Sequence, residues 1–374
     1  MAFLKPCMHL YPTCLIAFCT ILIVSCTKLD SPALATPDYI STEPLVDYTD
    51  HKAIPLVGRD KAISYLEARG DYIYYSTFDD ELVAFHQSST EATLLMEEVQ
   101  TYSMDSGPAG VYFCTDRGIF QVGEDRVSLL QRTTHHCYDI EAVSSQELYY
   151  SSLRSFGDLS HYRLFRLEGD SVRSFSAGLK AQTLSFTRLH NGEFFVYAES
   201  IDPAIHRIAS DGTIIQTFQG DDLPLRQRYL AHQVMLIPSE EGLLLFGDAG
   251  FAFPDIRAWS SVSQSWSPLL DPAMEETADE KWVQLKVPSY TDALPWKDQI
   301  LVTTTSAGCR GVLRLAPRGG TTIGYDDFGL VQDANFSIGQ CLAGFSLDLT
   351  TRSLYVYSQQ QAMRLTLPLI ETVD

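Results

Sequence analysis

Short runs of β-branched and aromatic residues recur along most of this chain at intervals of 37 to 57 residues, and that recurrence narrows the available folds sharply. The runs are Tyr72-Ile73-Tyr74-Tyr75, Val111-Tyr112-Phe113-Cys114, Leu148-Tyr149-Tyr150, Phe194-Phe195-Val196-Tyr197, Leu243-Leu244-Leu245-Phe246, Ile300-Leu301-Val302-Thr303 and Leu354-Tyr355-Val356-Tyr357. Each has strand length and strand composition, and no long stretch carries the 3.6-residue periodicity of an amphipathic helix. With 45% hydrophobic and 11% aromatic residues, the chain can build a substantial core.

After each run come a second and a third, joined by a tight turn. Ile119-Phe120-Gln121-Val122 leads through Gly123-Glu124-Asp125 to Val127-Ser128-Leu129-Leu130. Arg163 to Leu167 turns at Glu168-Gly169-Asp170, and Ile205 to Ile208 turns at Ser210-Asp211-Gly212. Gly and Asp tolerate the positive φ that such turns require. Four short strands per unit predict an all-β fold, a β-propeller. The 322 residues from Ala53 to Asp374 divide into seven blades of 46 residues, with six or eight blades, or a pair of β-sandwiches, left open. In the last unit, strands near Leu342 to Leu347, Leu354 to Ser358 and Ala362 to Leu367 are expected to pair with Pro55-Leu56-Val57 and close the ring.

Ahead of the repeats lies a leader. Lys5 supplies a basic start, and the apolar run from Cys14 to Val24 is far shorter than the roughly 20 residues that span a bilayer. It closes on Ile23-Val24-Ser25-Cys26, which resembles a bacterial lipobox. That resemblance implies cleavage before Cys26 and acylation of its thiol. The expected layout is a signal peptide over 1–25, an acylated Cys26 with a Pro-, Ser- and Thr-rich tether over 26–52, and the propeller over 53–374. The implied address is the bacterial cell envelope. Thr27, in place of the Asp that retains lipoproteins at the inner membrane, favours the outer membrane.

Removing 1–25 takes away Lys5 and no acidic residue, so the formal charge moves from −20 to −21. Nucleic acid and anionic headgroups are therefore poor partners.

Family resemblances are local. Arg257-Ala258-Trp259 with Gln264-Ser265-Trp266 resembles the outer hairpin of a kelch blade, without that family's Gly-Gly doublets. Ser210-Asp211-Gly212-Thr213 resembles part of the Asp-box of sialidase-type propellers. Length, lipobox and repeat together resemble the outer-membrane assembly lipoproteins with pyrroloquinoline-quinone-like repeats, whose Trp-bearing docking repeats are absent here. None of these carries a function across.

Four mature cysteines remain besides Cys26, and an exported chain meets an oxidising compartment. Four allow three pairings. The repeat brings Cys114 to Cys137 and Cys309 to Cys341, each across neighbouring blades, and zinc ligation competes with no C-x-x-C pair to support it.

With strands lettered A to D from the axis outward, A-to-B and C-to-D turns are short while B-to-C and D-to-A links are often long. Both long classes emerge on one face, the expected binding face. Candidate residues there are His135, His136 and His161, and, in the Gly- and Phe-rich stretch after the fifth run, Asp248, Phe251, Phe253 and Asp255. Adjacent strand residues point apart, so His135 and His136 do not share an ion. The tryptophans 259, 266, 282 and 296 cluster in one segment, explained by burial between blades or by a contact surface. No cofactor is expected. Ca²⁺ at Asp221-Asp222 or Asp326-Asp327 has no ligand spacing behind it.

Catalytic signatures such as G-x-S-x-G and H-E-x-x-H do not occur. The expectation is an envelope-anchored scaffold that binds a protein or glycan. The alternative is a propeller hydrolase or lyase acting on carbohydrates or lactones, marked by carboxylates converging at the axis.

Overall fold

The computed structural model describes residues 51–56, 61–123, 126–133, 136–153, 162–176, 179, 181, 183–200, 202–224, 234–239, 242–247, 255–268, 290–296, 299–304, 312–318, 322–327, 342–348, 351, 353–358 and 361–366. All belong to one compact unit, Ser41–Asp374.

β1 (His51–Pro55) stands apart from the first blade. That blade comprises β2 (Ile63–Arg69), β3 (Tyr72–Thr77), β4 (Leu82–His86) and β5 (Glu91–Met96). The second holds β6 (Thr101–Gly107), β7 (Gly110–Thr115), β8 (Ile119–Gly123) and β9 (Arg126–Gln131), and the third β10 (Cys137–Ala142), β11 (Glu147–Leu153), β12 (Tyr162–Glu168) and β13 (Ser171–Ser174). The fourth has β14 (Thr183–Arg188), β15 (Phe194–Glu199), β16 (Ala204–Ile208) and β17 (Ile214–Gln219), and the fifth β18 (Val234–Ser239), β19 (Gly242–Gly247), β20 (Asp255–Ser260) and β21 (Ser265–Pro268). The sixth runs β22 (Tyr290–Trp296), β23 (Gln299–Thr304), β24 (Val312–Arg318) and β25 (Thr322–Asp327), before β26 (Leu342–Asp348), β27 (Ser353–Ser358) and β28 (Gln361–Thr366).

Six sheets are thus consecutive antiparallel meanders, and the seventh has the order β1-β28-β27-β26. The first strand of each meander packs beside the first strand of the next, from β2 through β6, β10, β14, β18 and β22 to β26, which returns to β2. These observations define a closed seven-bladed β-propeller, with β1 as the outermost strand of the last blade. Among the described residues the blade count is seven, not six or eight, and no sandwich pair is present. The closing strand begins at His51, two residues ahead of the expected domain edge, and its register sets Ile54 opposite Ala362. Closure hides the edge of β28 that would otherwise recruit another chain.

All seven apolar runs are second strands of blades. Such strands are covered on both faces by neighbouring blades, so they read as continuous hydrophobic segments rather than alternating ones. Every residue of β7 and β27 is buried, while all four of β13 are exposed. Between blades the core is contiguous: Tyr74 and Leu82 of the first meet Phe113 and Val122 of the second, and Phe195 of the fourth meets Trp259 of the fifth. At the turn between β16 and β17, Gly212 holds φ +90°, and a Cβ there would lie 2.0 Å from the Phe175 carbonyl oxygen, so only glycine fits. Asp211 accepts the Thr213 N–H at 2.9 Å and fixes the same turn.

Candidate functional site

The two faces of the disc differ as their links do. Links from first to second strands and from third to fourth hold two to five residues, whereas those on the other face reach 14 residues (220–233), 21 (269–289) and 14 (328–341).

On the long-link face, Cys114 at the end of β7 is disulfide-bonded to Cys137 at the start of β10, with their Cα atoms 5.1 Å apart. The second and third blades are stapled there as the repeat predicts. His136, next to the staple, is exposed, and its Nδ1 lies 3.0 Å from the Tyr102 hydroxyl. Its carbonyl accepts the Ser152 hydroxyl at 3.1 Å, so a backbone anchor sets its position. Asp255 opens β20 and pairs with Gly247. Cys26, His135, His161, Asp248, Phe251, Phe253, Cys309 and Cys341 lie outside the described residues.

The tryptophan sector divides. Trp259 is 2% exposed, packs against Phe195 and Phe218, and carries the Arg207 guanidinium 5.6 Å from its ring centroid. Trp266, opposite it across the hairpin, packs against the same pair. Trp259 is thus core between the fourth and fifth blades, Trp266 is its partly buried neighbour, and Trp282 lies outside the described residues.

The axis holds what the sequence reading did not name. An innermost strand is a sheet edge, and its outward N–H groups need acceptors. Carboxylates and hydroxyls of the neighbouring blade supply them. Asp105 on β6 accepts the Ala142 N–H at 2.5 Å, and Glu141 on β10 accepts the Arg188 N–H at 2.9 Å. On β26, Ser346 accepts the Ala68 N–H at 2.8 Å and donates to Glu67 at 2.9 Å. Glu67, Asp105, Glu141 and Ser346 occupy equivalent places. Each lies four residues beyond the residue where its inner strand's register shifts: Ile63, Thr101, Cys137 and Leu342. Asp139 adds a further acceptor, to the N–H of Ile140 at 2.9 Å, the Ser103 hydroxyl at 3.2 Å and the N–H of Phe186 at 3.4 Å.

Burial dominates the electrostatics of this cluster. It pushes the carboxyls of Asp105 and Asp139 up to about 6 against the opposing pull of their backbone donors. Glu141 rises to about 8, through burial first and the Asp105 charge second. In the sequence all three show only as acidic residues on inner strands of mixed polar and apolar composition, Thr101–Gly107 and Cys137–Ala142.

The short-turn face carries a pocket of about 790 Å³ between the first two blades, lined by Arg69, Asp71, Tyr72, Tyr74, His86 and Ala109 among others. It lies opposite the face that the loop lengths single out. Among the described residues no group of three or more His, Cys, Asp or Glu is placed to hold a metal ion, and Asp221 and Asp222 sit exposed on a short 3-10 turn.

No family model matches the chain, and neither does any curated protein sequence. Solved structures similar to it include YCF48 bound to a D1 peptide, at 11% identity and TM-score 0.58, covering 88% of this chain and 99% of that one. The extracellular domain assigned to the hybrid two-component system BT4673 of B. thetaiotaomicron is 12% identical with TM-score 0.54, over 84% of this chain and 39% of that one. A chain of the Mitotic Checkpoint Complex is 11% identical with TM-score 0.50, over 91% and 98%. Likeness at that identity establishes the propeller fold alone.

Proposed function

We propose that this protein is a lipoprotein of the bacterial envelope, acylated at Cys26, whose propeller holds a protein partner on its long-link face. The observation that carries the reading is the asymmetry of the disc. Tight turns close one face, while the other bears every link longer than five residues and a disulfide that fixes two blades beneath them. Loops on a rigid scaffold are where recognition usually sits. Of the similar structures, YCF48 is bound to a D1 peptide, which supports reading this propeller as a holder of a peptide or protein. The lipobox supplies the address.

Affinity capture from native envelope, with the acylated protein and a Cys26→Ala control, tests both parts. The reading expects the lipid mass on the N-terminal peptide, loss of membrane association in Cys26→Ala, and one reproducible partner. A soluble wild-type protein with no partner contradicts it.

A second reading, a hydrolase or lyase, draws on Asp105, Asp139 and Glu141 gathered near the axis with raised pKa values. Against it, each already accepts backbone N–H groups that need an acceptor. Turnover of a carbohydrate or lactone abolished by Glu141→Gln in a still-folded protein would favour catalysis over scaffolding.

A further inference from the structure

We propose that the short-turn pocket between the first and second blades is a binding site for a neutral saccharide. This site lies on the opposite face from the protein-binding reading and stands independently of it.

The pocket combines three features. First, it is built rigidly. Gly70 turns the chain between β2 and β3 at φ +59°, and its N–H donates to Asp348 of the seventh blade at 2.7 Å. The Gly70 carbonyl accepts the Gln87 side-chain amide at 3.1 Å, the Asp71 carbonyl accepts the Gln87 N–H at 2.8 Å, and the same amide reaches the Tyr355 hydroxyl at 2.9 Å. Arg69 crosses to the second blade, where its guanidinium donates to the carbonyls of Gly107 and Pro108. Three blades therefore hold one two-residue turn, and a ligand seated there meets walls already in place.

Second, it has an aromatic wall. Tyr72 lies nearly parallel to Tyr74, with centroids 5.9 Å apart at 17°, and edge-on to His86 at 4.8 Å and 80°. The negative face of such a ring attracts the C–H face of a pyranose.

Third, its polar groups are mixed. The His86 Nδ1 accepts the Ser89 N–H at 3.1 Å, so the imidazole proton sits on Nε2 as a donor. Asp71 is an exposed acceptor, and Arg69 is a cation with further N–H donors. A hydroxyl both donates and accepts, and a ring of hydroxyls matches a rim carrying both kinds of group. A purely anionic ligand meets Asp71 and a chain of net charge −20, and a purely cationic one meets Arg69. The volume falls in the range of about 300 to 1,000 Å³ usual for small-molecule sites.

Isothermal titration of the full chain with maltotriose and chitotriose, alongside tri-galacturonate, tri-lysine and tri-alanine, tests the assignment. The expected result is binding of a neutral trisaccharide, weakened about tenfold or more by Asp71→Ala and by His86→Ala, as loss of a charge-assisted or imidazole hydrogen bond requires. Thermal unfolding should not change in either variant, and Asp221→Ala, in a link on the other face, should bind as wild type. No binding of either neutral sugar overturns the proposal, as does binding confined to the charged or peptide probes. Neutral-sugar binding that survives both variants also overturns it, by placing the sugar elsewhere.

Discussion

Asp105, on the innermost strand of the second blade, accepts the backbone N–H of Ala142 on the innermost strand of the third at 2.5 Å. Glu141 repeats the bond one blade further on, to Arg188, and Ser346 makes it from the seventh blade to Ala68 of the first. The axis of a propeller is a ring of sheet edges, and this chain satisfies part of that ring with side chains lent by the preceding blade.

The arrangement makes stability depend on pH. Burial raises the folded-state carboxyls of Asp105 and Asp139 to about 6 and Glu141 to about 8, above the unfolded values near 4. The folded state then binds more protons between about 4 and 8, so their stabilising contribution is full below about 4 and is lost as pH rises through 8. His206, whose pKa burial lowers, works in the opposite sense near neutrality. The diagnostic is therefore a difference. Unfolding temperatures of Glu141→Gln, measured from about pH 5 to 9, should fall less above pH 6 than those of wild type; parallel curves would show that Glu141 does not titrate in the folded protein.

The Cys114–Cys137 staple closes a loop with a sequence separation of 23 residues. On the chain-entropy account, Cys114→Ala with Cys137→Ala should cost about 3 kcal/mol in denaturant unfolding. Non-reducing peptide mapping should recover 114 with 137, and the repeat predicts 309 with 341.

Arg207 clamps the fourth blade to the fifth. It forms a two-pronged pair with Glu193 at 2.9 and 2.8 Å and lies over Trp259. Glu193→Ala leaves a guanidinium that is 7% exposed at the residue level without its anion. The expected loss is roughly 2 to 3 kcal/mol, below the figure for a fully buried pair because Glu193 keeps some solvent contact. A loss under about 0.5 kcal/mol, the ordinary surface range, would show that Trp259 alone makes the contact.

Removing β1 takes the outermost strand from the last blade and bares the edge of β28 along Ala362 and Met363. A chain begun after Pro55 should self-associate in size-exclusion chromatography and unfold at lower temperature. A monomer with unchanged unfolding would mean that closure contributes nothing.

How much of this was legible follows from where each signal resides. The seven B strands were legible because burial on both faces leaves an unbroken apolar run, as at Phe194-Phe195-Val196-Tyr197. The disulfide followed from the repeat, which sets Cys114 and Cys137 at one face. The role of Asp105 was not legible, since one acid on a strand of mixed composition gives no hint that its partner is a backbone N–H 37 residues away. The short-turn pocket was missed for a different reason. Loop length drew attention to the other face, whereas this cleft is made by two-residue turns brought together only by blade packing. Trp259 and Trp266 left burial and a contact surface both open, because a cross-strand aromatic pair reads alike whether it faces solvent or a neighbouring blade.

Whether a protein partner sits on the long-link face is decided by site-specific photo-crosslinking in native envelope, with the photoreactive residue placed at His136 on that face or at Asp170 in a turn of the other. Both positions are exposed. A partner held there gives a discrete protein adduct from position 136 and none from 170. Adducts from 170 alone, or from neither position, would contradict a protein partner held on the long-link face.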